Sequence, residues 1–248
     1  MPSTKTVSAS QMDRRDALKS FGVVGIAAVF GARALDTLGE DAQAATTCIL
    51  TPEVTEGPYW IDKTLTRRDI TEGKPGMPLQ IVFTVVNAKT CKPINGADVE
   101  IWHCDAGGEY SGYDSGTPGT PGAGGGGHQA PASSTRYLRG HQRSDAAGKA
   151  QFLTIFPGWY RGRTPHIHMK VHVGGKVAHT GQVFFNEAIT AAVYKTAQYR
   201  SHGQADTPHA SDGIYAQAGG SSAVLKLSKR AKGLQGYVGR IVVGVAAA

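Results

Sequence analysis

The feature that most constrains this chain is alternation. In LQIVFTVV (79–86), Leu79, Ile81, Phe83 and Val85 fall on one face of an extended backbone. In GADVEIWHC (96–104), Ala97, Val99 and Ile101 oppose Asp98, Glu100 and Trp102. Side chains two apart share a face of a strand, so each run can bury one side of a sheet. Further strands are expected at 150–156, 166–173, 182–185, 223–227 and 237–245. Short alternating runs with turn residues between them predict an all-β fold, an antiparallel β-sandwich with long loops, rather than an α/β fold. At most one or two short helices are expected. One follows Asn186, where EAITAAVYKTA offers a cap and an apolar face. Residues 115–134 are rich in Gly, Pro and Ser and predict a long loop. No period of 20–50 residues recurs, which argues against solenoids and propellers. Residues 46–248 read as one domain with a single core.

Residues 1–45 read differently. Arg14 and Arg15 are followed by a weakly hydrophobic Gly/Ala run and then by Ala42-Gln43-Ala44. That is the three-part form of a signal peptide, with the paired arginines of the twin-arginine type. An ordinary secretory signal with two arginines is the alternative. The uncharged run Ser20–Ala32 is well short of the roughly 20 residues that span a bilayer. Export with no stable membrane anchor is the expectation.

Export bears on the cysteines. An oxidising compartment permits a disulfide, and three cysteines leave one over. Cys48 and Cys91 both fall in expected loops and are the expected pair. Cys104 directly follows a strand and is expected to be a buried thiol. The leader carries five basic and five acidic residues, so the remainder keeps the net charge of +7. The excess is scattered, without the basic stripes interleaved with aromatics that nucleic-acid binding needs.

Within RTPHIHMKV (163–171), His166 and His168 project to one face while Ile167, Met169 and Val171 take the other. Two imidazoles side by side are either surface residues or a metal edge. His172 and His179 are expected to face the surface. Aromatic and polar residues concentrate in TEGPYW (55–60), WHCDAGGEYSGYDSG (102–116) and TIFPGWYRGRTPHIHMKV (154–171). Imidazole with oxygen donors suits iron, copper or zinc, and phenolate oxygens favour ferric iron. A tyrosine in a turn is also an ordinary packing residue.

PGWYRGRTPHIHMKV, DAGGEYSGY, TEGPYW and TGQVFF (180–185), taken together, resemble the intradiol ring-cleavage dioxygenases. That family includes catechol 1,2-dioxygenase and protocatechuate 3,4-dioxygenase. The resemblance covers about 48–245 in the same order and implies a β-sandwich. It also implies Fe(3+) bound by Tyr110, Tyr160, His166 and His168, with no organic cofactor. Arg163 and Gln182 fall where the family places residues that stabilise charge on the substrate ring. Tyr160 falls on the axial phenolate, while Tyr113 and Tyr137 have no ligand counterpart. The partners implied are a small aromatic diol and dioxygen, converted to a cis,cis-muconate-type dicarboxylic acid.

Two features depart from that pattern. No helical dimerisation region of the cytoplasmic catechol enzymes is legible, so the oligomeric state is left open. The Gly-rich stretch 115–134 has no fixed counterpart. Two rivals stand beside the enzyme reading. One is an exported transthyretin-like binding or scaffold module, since GADVEIWHC and RSDAAGKAQFLTIFPGWY suit that turn-and-strand pattern. The other is a different His-rich periplasmic metalloprotein.

Overall fold

The computed structural model describes residues 49–62, 65–113 and 130–246, all within the compact unit Glu40–Ala248. The leader (1–45), Cys48 and most of the Gly-rich loop lie outside the described residues. Eight strands are formed there: β1 (Pro78–Asn87), β2 (Asp98–Trp102), β3 (Arg139–Arg143), β4 (Lys149–Ile155), β5 (His166–Val173), β6 (Lys176–Phe184), β7 (Lys226–Lys229) and β8 (Tyr237–Val245). They make two four-stranded sheets, ordered β4-β1-β8-β7 and β3-β2-β5-β6. Every pairing is antiparallel except β1 with β8, which is parallel.

The expected sandwich is therefore present, and alternation builds its core. Leu79, Ile81, Phe83 and Val85 of β1 lie in one buried cluster with Val99, Ile101, Ile167, Met169, Val171 and Val183 from the second sheet. The strands β5 and β8 begin and end where the sequence predicts. Others differ for identifiable reasons. The run 182–185 is only the apolar end of β6, whose first half, KVAHT, carries no hydrophobic alternation. Residues 220–223 form a 3₁₀ turn, so β7 starts later than AVLKL suggests. β3 reads RGHQR and gives no apolar signal at all.

The helix α1 (Glu187–Val193) forms where expected, with the Asn186 side chain accepting from the Ile189 N–H at 3.1 Å. A second, α2 (Gly213–Gln217), is capped by Asp212. Chain preceding β1 bridges the neighbouring edge strands of the two sheets: Arg67 N–H donates to His141 O on β3, and Ile70 N–H to Leu153 O on β4.

One expectation is overturned. His179 does not face the surface; it is 1% exposed. It is the register partner of Val171 and shares the inward face with Gly181 and Val183, because two-residue alternation along β6 sends it inward. Cys91 is disulfide-bonded, and Cys104 is a buried free thiol.

Candidate active site

The outer face of the second sheet carries the site. β5 places His166 and His168 there, 2% and 1% exposed. On neighbouring strands, Trp102 (β2) and Gln182 (β6) are both register partners of His168, so they flank it. Above this row the segment 55–60 closes over the imidazole. Gly57 has φ +73°, and a Cβ there would stand 3.0 Å from His168 Cε1, so only glycine fits without displacement.

Two turns deliver the phenols. In the first, Asp105 Oδ1 accepts from the Gly107 and Glu109 N–H groups (2.9 and 3.1 Å) and fixes the turn that presents Tyr110. In the second, PGWY presents Tyr160. The turns pack backbone to backbone: Gly158 N–H donates to Asp105 O at 2.9 Å. A Cβ on Gly108 (φ +88°) would fall 2.3 Å from Trp159 O. This close approach sets the rings of Tyr110 and Tyr160 with centroids 5.9 Å apart. Tyr59 stacks on Tyr110 at 4.6 Å and 27°.

Four donor atoms converge. His166 Nε2 lies 3.1 Å from His168 Nε2, 3.0 Å from Tyr160 Oη and 3.5 Å from Tyr110 Oη. His166 Nδ1 donates to Thr164 O at 2.7 Å, which leaves the lone pair on Nε2. His168 Nδ1 is buried without a partner, so the hydrogen bonds of that ring are incomplete in either tautomer. Burial, followed by the Arg163 charge for His166 and by His166 for His168, holds both imidazoles well below the usual histidine range. Burial also pushes both phenols up. The neighbouring Tyr160 raises Tyr110 further, and the pull of Arg163 on Tyr160 is outweighed.

Neutral imidazoles with free lone pairs beside phenols that resist ionisation are chemically what a cation would complete. Two nitrogens and two phenolic oxygens suit a hard trivalent metal such as ferric iron. Among the described residues no three His, Cys, Asp or Glu side chains gather to hold a metal elsewhere.

Arg163 stands beside these donors, its Nη1 3.5 Å from His166 Nε2. Its Nη2 donates to Gln182 Oε1 at 2.6 Å, and its Nε to Asp212 Oδ2 at 2.9 Å. Gln182 Nε2 is in turn engaged by Thr55 O at 3.0 Å. Gln182 thus links Arg163 to the segment 55–60.

The six residues singled out in the sequence, Tyr110, Tyr160, His166, His168, Arg163 and Gln182, are thus brought together. Tyr113 stays outside, its ring against Tyr59 at 5.1 Å, and Tyr137 lies under Lys74. Thr164, Trp102 and Asp212 were not legible as part of the site. Asp212 is 44 residues beyond His168, and nothing in SDGIYAQ marks it as more than a helix cap.

A family model described as "Dioxygenase" matches residues 51–199. Catechol 1,2-dioxygenase 1 of Acinetobacter lwoffii is 30% identical over 115 residues, which is 44% of this chain and 32% of that protein. The chain thus spans about a third of the length of that curated relative. The solved intradiol ring-cleavage dioxygenase from Tetranychus urticae superposes with a TM-score of 0.72 at 34% identity, covering 80% of this chain and 95% of that one. Hydroxyquinol 1,2-dioxygenase from Pseudomonas putida DLL-E4 shares the fold, with a TM-score of 0.56 at 19% identity over 83% of this chain and 70% of that one.

Proposed function

The chain belongs to the intradiol ring-cleavage dioxygenase family, and on that premise we propose that it opens catechol-type rings between their two hydroxyl-bearing carbons. Both atoms of dioxygen enter the product, so a catechol plus O2 gives a cis,cis-muconate-type dicarboxylic acid. The observation that carries this reading is the convergence of Tyr110 Oη, Tyr160 Oη and His168 Nε2 within 3.5 Å of His166 Nε2, with Arg163 alongside. A scaffold module has no use for that arrangement.

These four side chains would hold a ferric ion, which when bound supplies Lewis acidity toward the substrate oxygens. The chain's own residues do the rest. Trp102 stacks on the His168 ring, and the Gly57 backbone lies close to its Cε1. Thr164 O fixes the tautomer of His166. Tyr160 is partly exposed where Tyr110 is buried, so with the ion bound its phenolate would be the one suited to take up a substrate proton. Arg163, held on two sides, keeps a positive charge where negative charge develops on the ring, and a preorganised charge of this kind stabilises the transition state.

The substrate class proposed is catechol, hydroxyquinol or another simple aromatic diol. Protocatechuate would require a further cation at its carboxylate. The paired Arg14 and Arg15 support export by the twin-arginine route, which N-terminal sequencing of the mature periplasmic protein would test. The test of the reaction is oxygen uptake by the iron-loaded protein across a panel of catechols, with product identification. Muconate-type acids are expected. Absence of uptake with every catechol, or semialdehyde products of cleavage outside the diol, would overturn the proposal.

A further inference from the structure

We propose that Asp212 is the positioning residue that aims Arg163 at the reacting centre; this rests on the ring-cleavage reading above. Asp212 lies beyond the 51–199 family match, in the turn before α2, and is 3% exposed. A helix cap needs only one acceptor atom, and Oδ1 alone supplies it, accepting from Ile214 N–H (2.9 Å) and Tyr215 N–H (3.1 Å). Oδ2 is therefore free of the cap. It accepts from Arg163 Nε (2.9 Å) and from Thr164 N–H (2.9 Å).

Those two bonds reach the centre by separate routes. The first fixes the guanidinium plane. With Nε on Asp212 and Nη2 on Gln182, the remaining Nη1 can only point toward His166. The second fixes the Arg163–Thr164 peptide, and Thr164 O is the acceptor for His166 Nδ1. One buried carboxylate thus sets the direction of the charge and steadies the residue that orients a metal-facing imidazole. It also pairs the partly buried Arg163 guanidinium with a carboxylate that is itself 1% exposed.

Asn and Ser both cap helices, so Asp212→Asn and Asp212→Ser keep the α2 cap while removing the carboxylate from Arg163. Asparagine sets an amide donor against the Arg163 Nε donor, and serine leaves that side empty. Two readouts are paired. In iron-loaded protein, kcat for catechol should fall about 10–100-fold with KM little changed, the size usual for a partner that orients a site group. In an Arg163→Met background, adding Asp212→Asn should cost several-fold less in kcat than it does in the parent, because the guanidinium is gone and only the Thr164 route remains.

The second readout is independent of turnover. In full-length chain loaded with gallium(III), a diamagnetic trivalent ion, the Arg163 Nε–H resonance is identified by its loss in Arg163→Met. Its hydrogen exchange should be slow in the parent and at least about tenfold faster in both Asp212 variants. Exchange unchanged from the parent, or the same loss of kcat in both backgrounds, would overturn the proposal. A parent with no ring-cleaving activity would sink the functional reading instead and leave the exchange measurement to decide the role of Asp212.

Discussion

Trp102 lies flat on the imidazole of His168, with ring centroids 5.0 Å apart and planes 9° from parallel. The pair are register partners on β2 and β5, so the stack follows from sheet pairing rather than from a loop. A candidate metal ligand is thereby held on the rigid part of the molecule. Trp102 is itself 1% exposed and among the largest fully buried side chains.

Replacing Trp102 by alanine should therefore act twice. The cavity should cost about 3–5 kcal/mol of stability, the usual range for large aromatic truncations. The freed His168 ring should also lower iron occupancy at a fixed iron concentration. Denaturant unfolding with iron analysis measures both, and a variant as stable and as iron-replete as the parent would contradict the role given to this stack.

The histidines should separate cleanly. His166→Ala should lose iron while the sandwich stays folded, since the ring donates to Thr164 but carries none of the hydrophobic core. His172→Ala, on the partly exposed end of β5, should keep its iron. His179→Ala should also keep iron but lose stability, because that ring is packed against Gly181 inside the sandwich. Full iron in His166→Ala, by elemental analysis, would remove the basis for the centre.

Arg163→Met should bind iron normally and turn over slowly. Loss of a charge that acts chiefly in the transition state is expected to cost about 2.7–4 kcal/mol, or 10²–10³ in kcat, as for a lost oxyanion-hole donor. Near-parent turnover at normal iron content would show that Arg163 is a structural partner of Asp212 and Gln182 only.

Much of this was legible because two periodicities coincide in one strand. In HIHMKV the apolar positions declare the core and the intervening histidines declare the face, so β5 and its site residues are read together. The tyrosines are different: nothing in the alternation brings Tyr110 to Tyr160, and only likeness to a known family places them at one centre. The structure supplies the physical reason in the glycines, since Gly108 and Gly158 let the two turns touch. β3 escaped notice because RGHQR is polar, and Arg139 within it spends its guanidinium on Ser111 and Tyr59 O, contacts no pattern encodes. Asp212 was hidden by distance along the chain and by having a second, ordinary role as a cap.

The cysteines offer a chemical check. Cys91 should resist alkylation until reduced, and non-reducing peptide maps of the mature protein should recover it joined to Cys48. Cys91→Ser should cost about 2–4 kcal/mol. Cys104 is buried, and its thiol is pushed up by burial and by the neighbouring Asp105, so it should react only after unfolding. Rapid labelling of Cys104 in the native protein, or its recovery in the disulfide, would contradict this assignment.

The most direct test of the four-donor centre is a ferric titration of metal-free protein, followed by visible absorption and iron content. Tyr160→Phe and Tyr137→Phe are run beside the parent. Two phenols within 3.5 Å of His166 Nε2 should give the parent a red-brown tyrosinate colour that saturates at about one ion per chain. Tyr160→Phe should bind iron with a weaker, shifted band and slower turnover, because Tyr110 alone remains as phenolate. Tyr137→Phe, which alters a tyrosine beneath Lys74 and away from the donors, should match the parent. A parent that takes up no iron, or a Tyr160→Phe protein with the colour and rate of the parent, would contradict the centre and the ring-cleaving chemistry built on it.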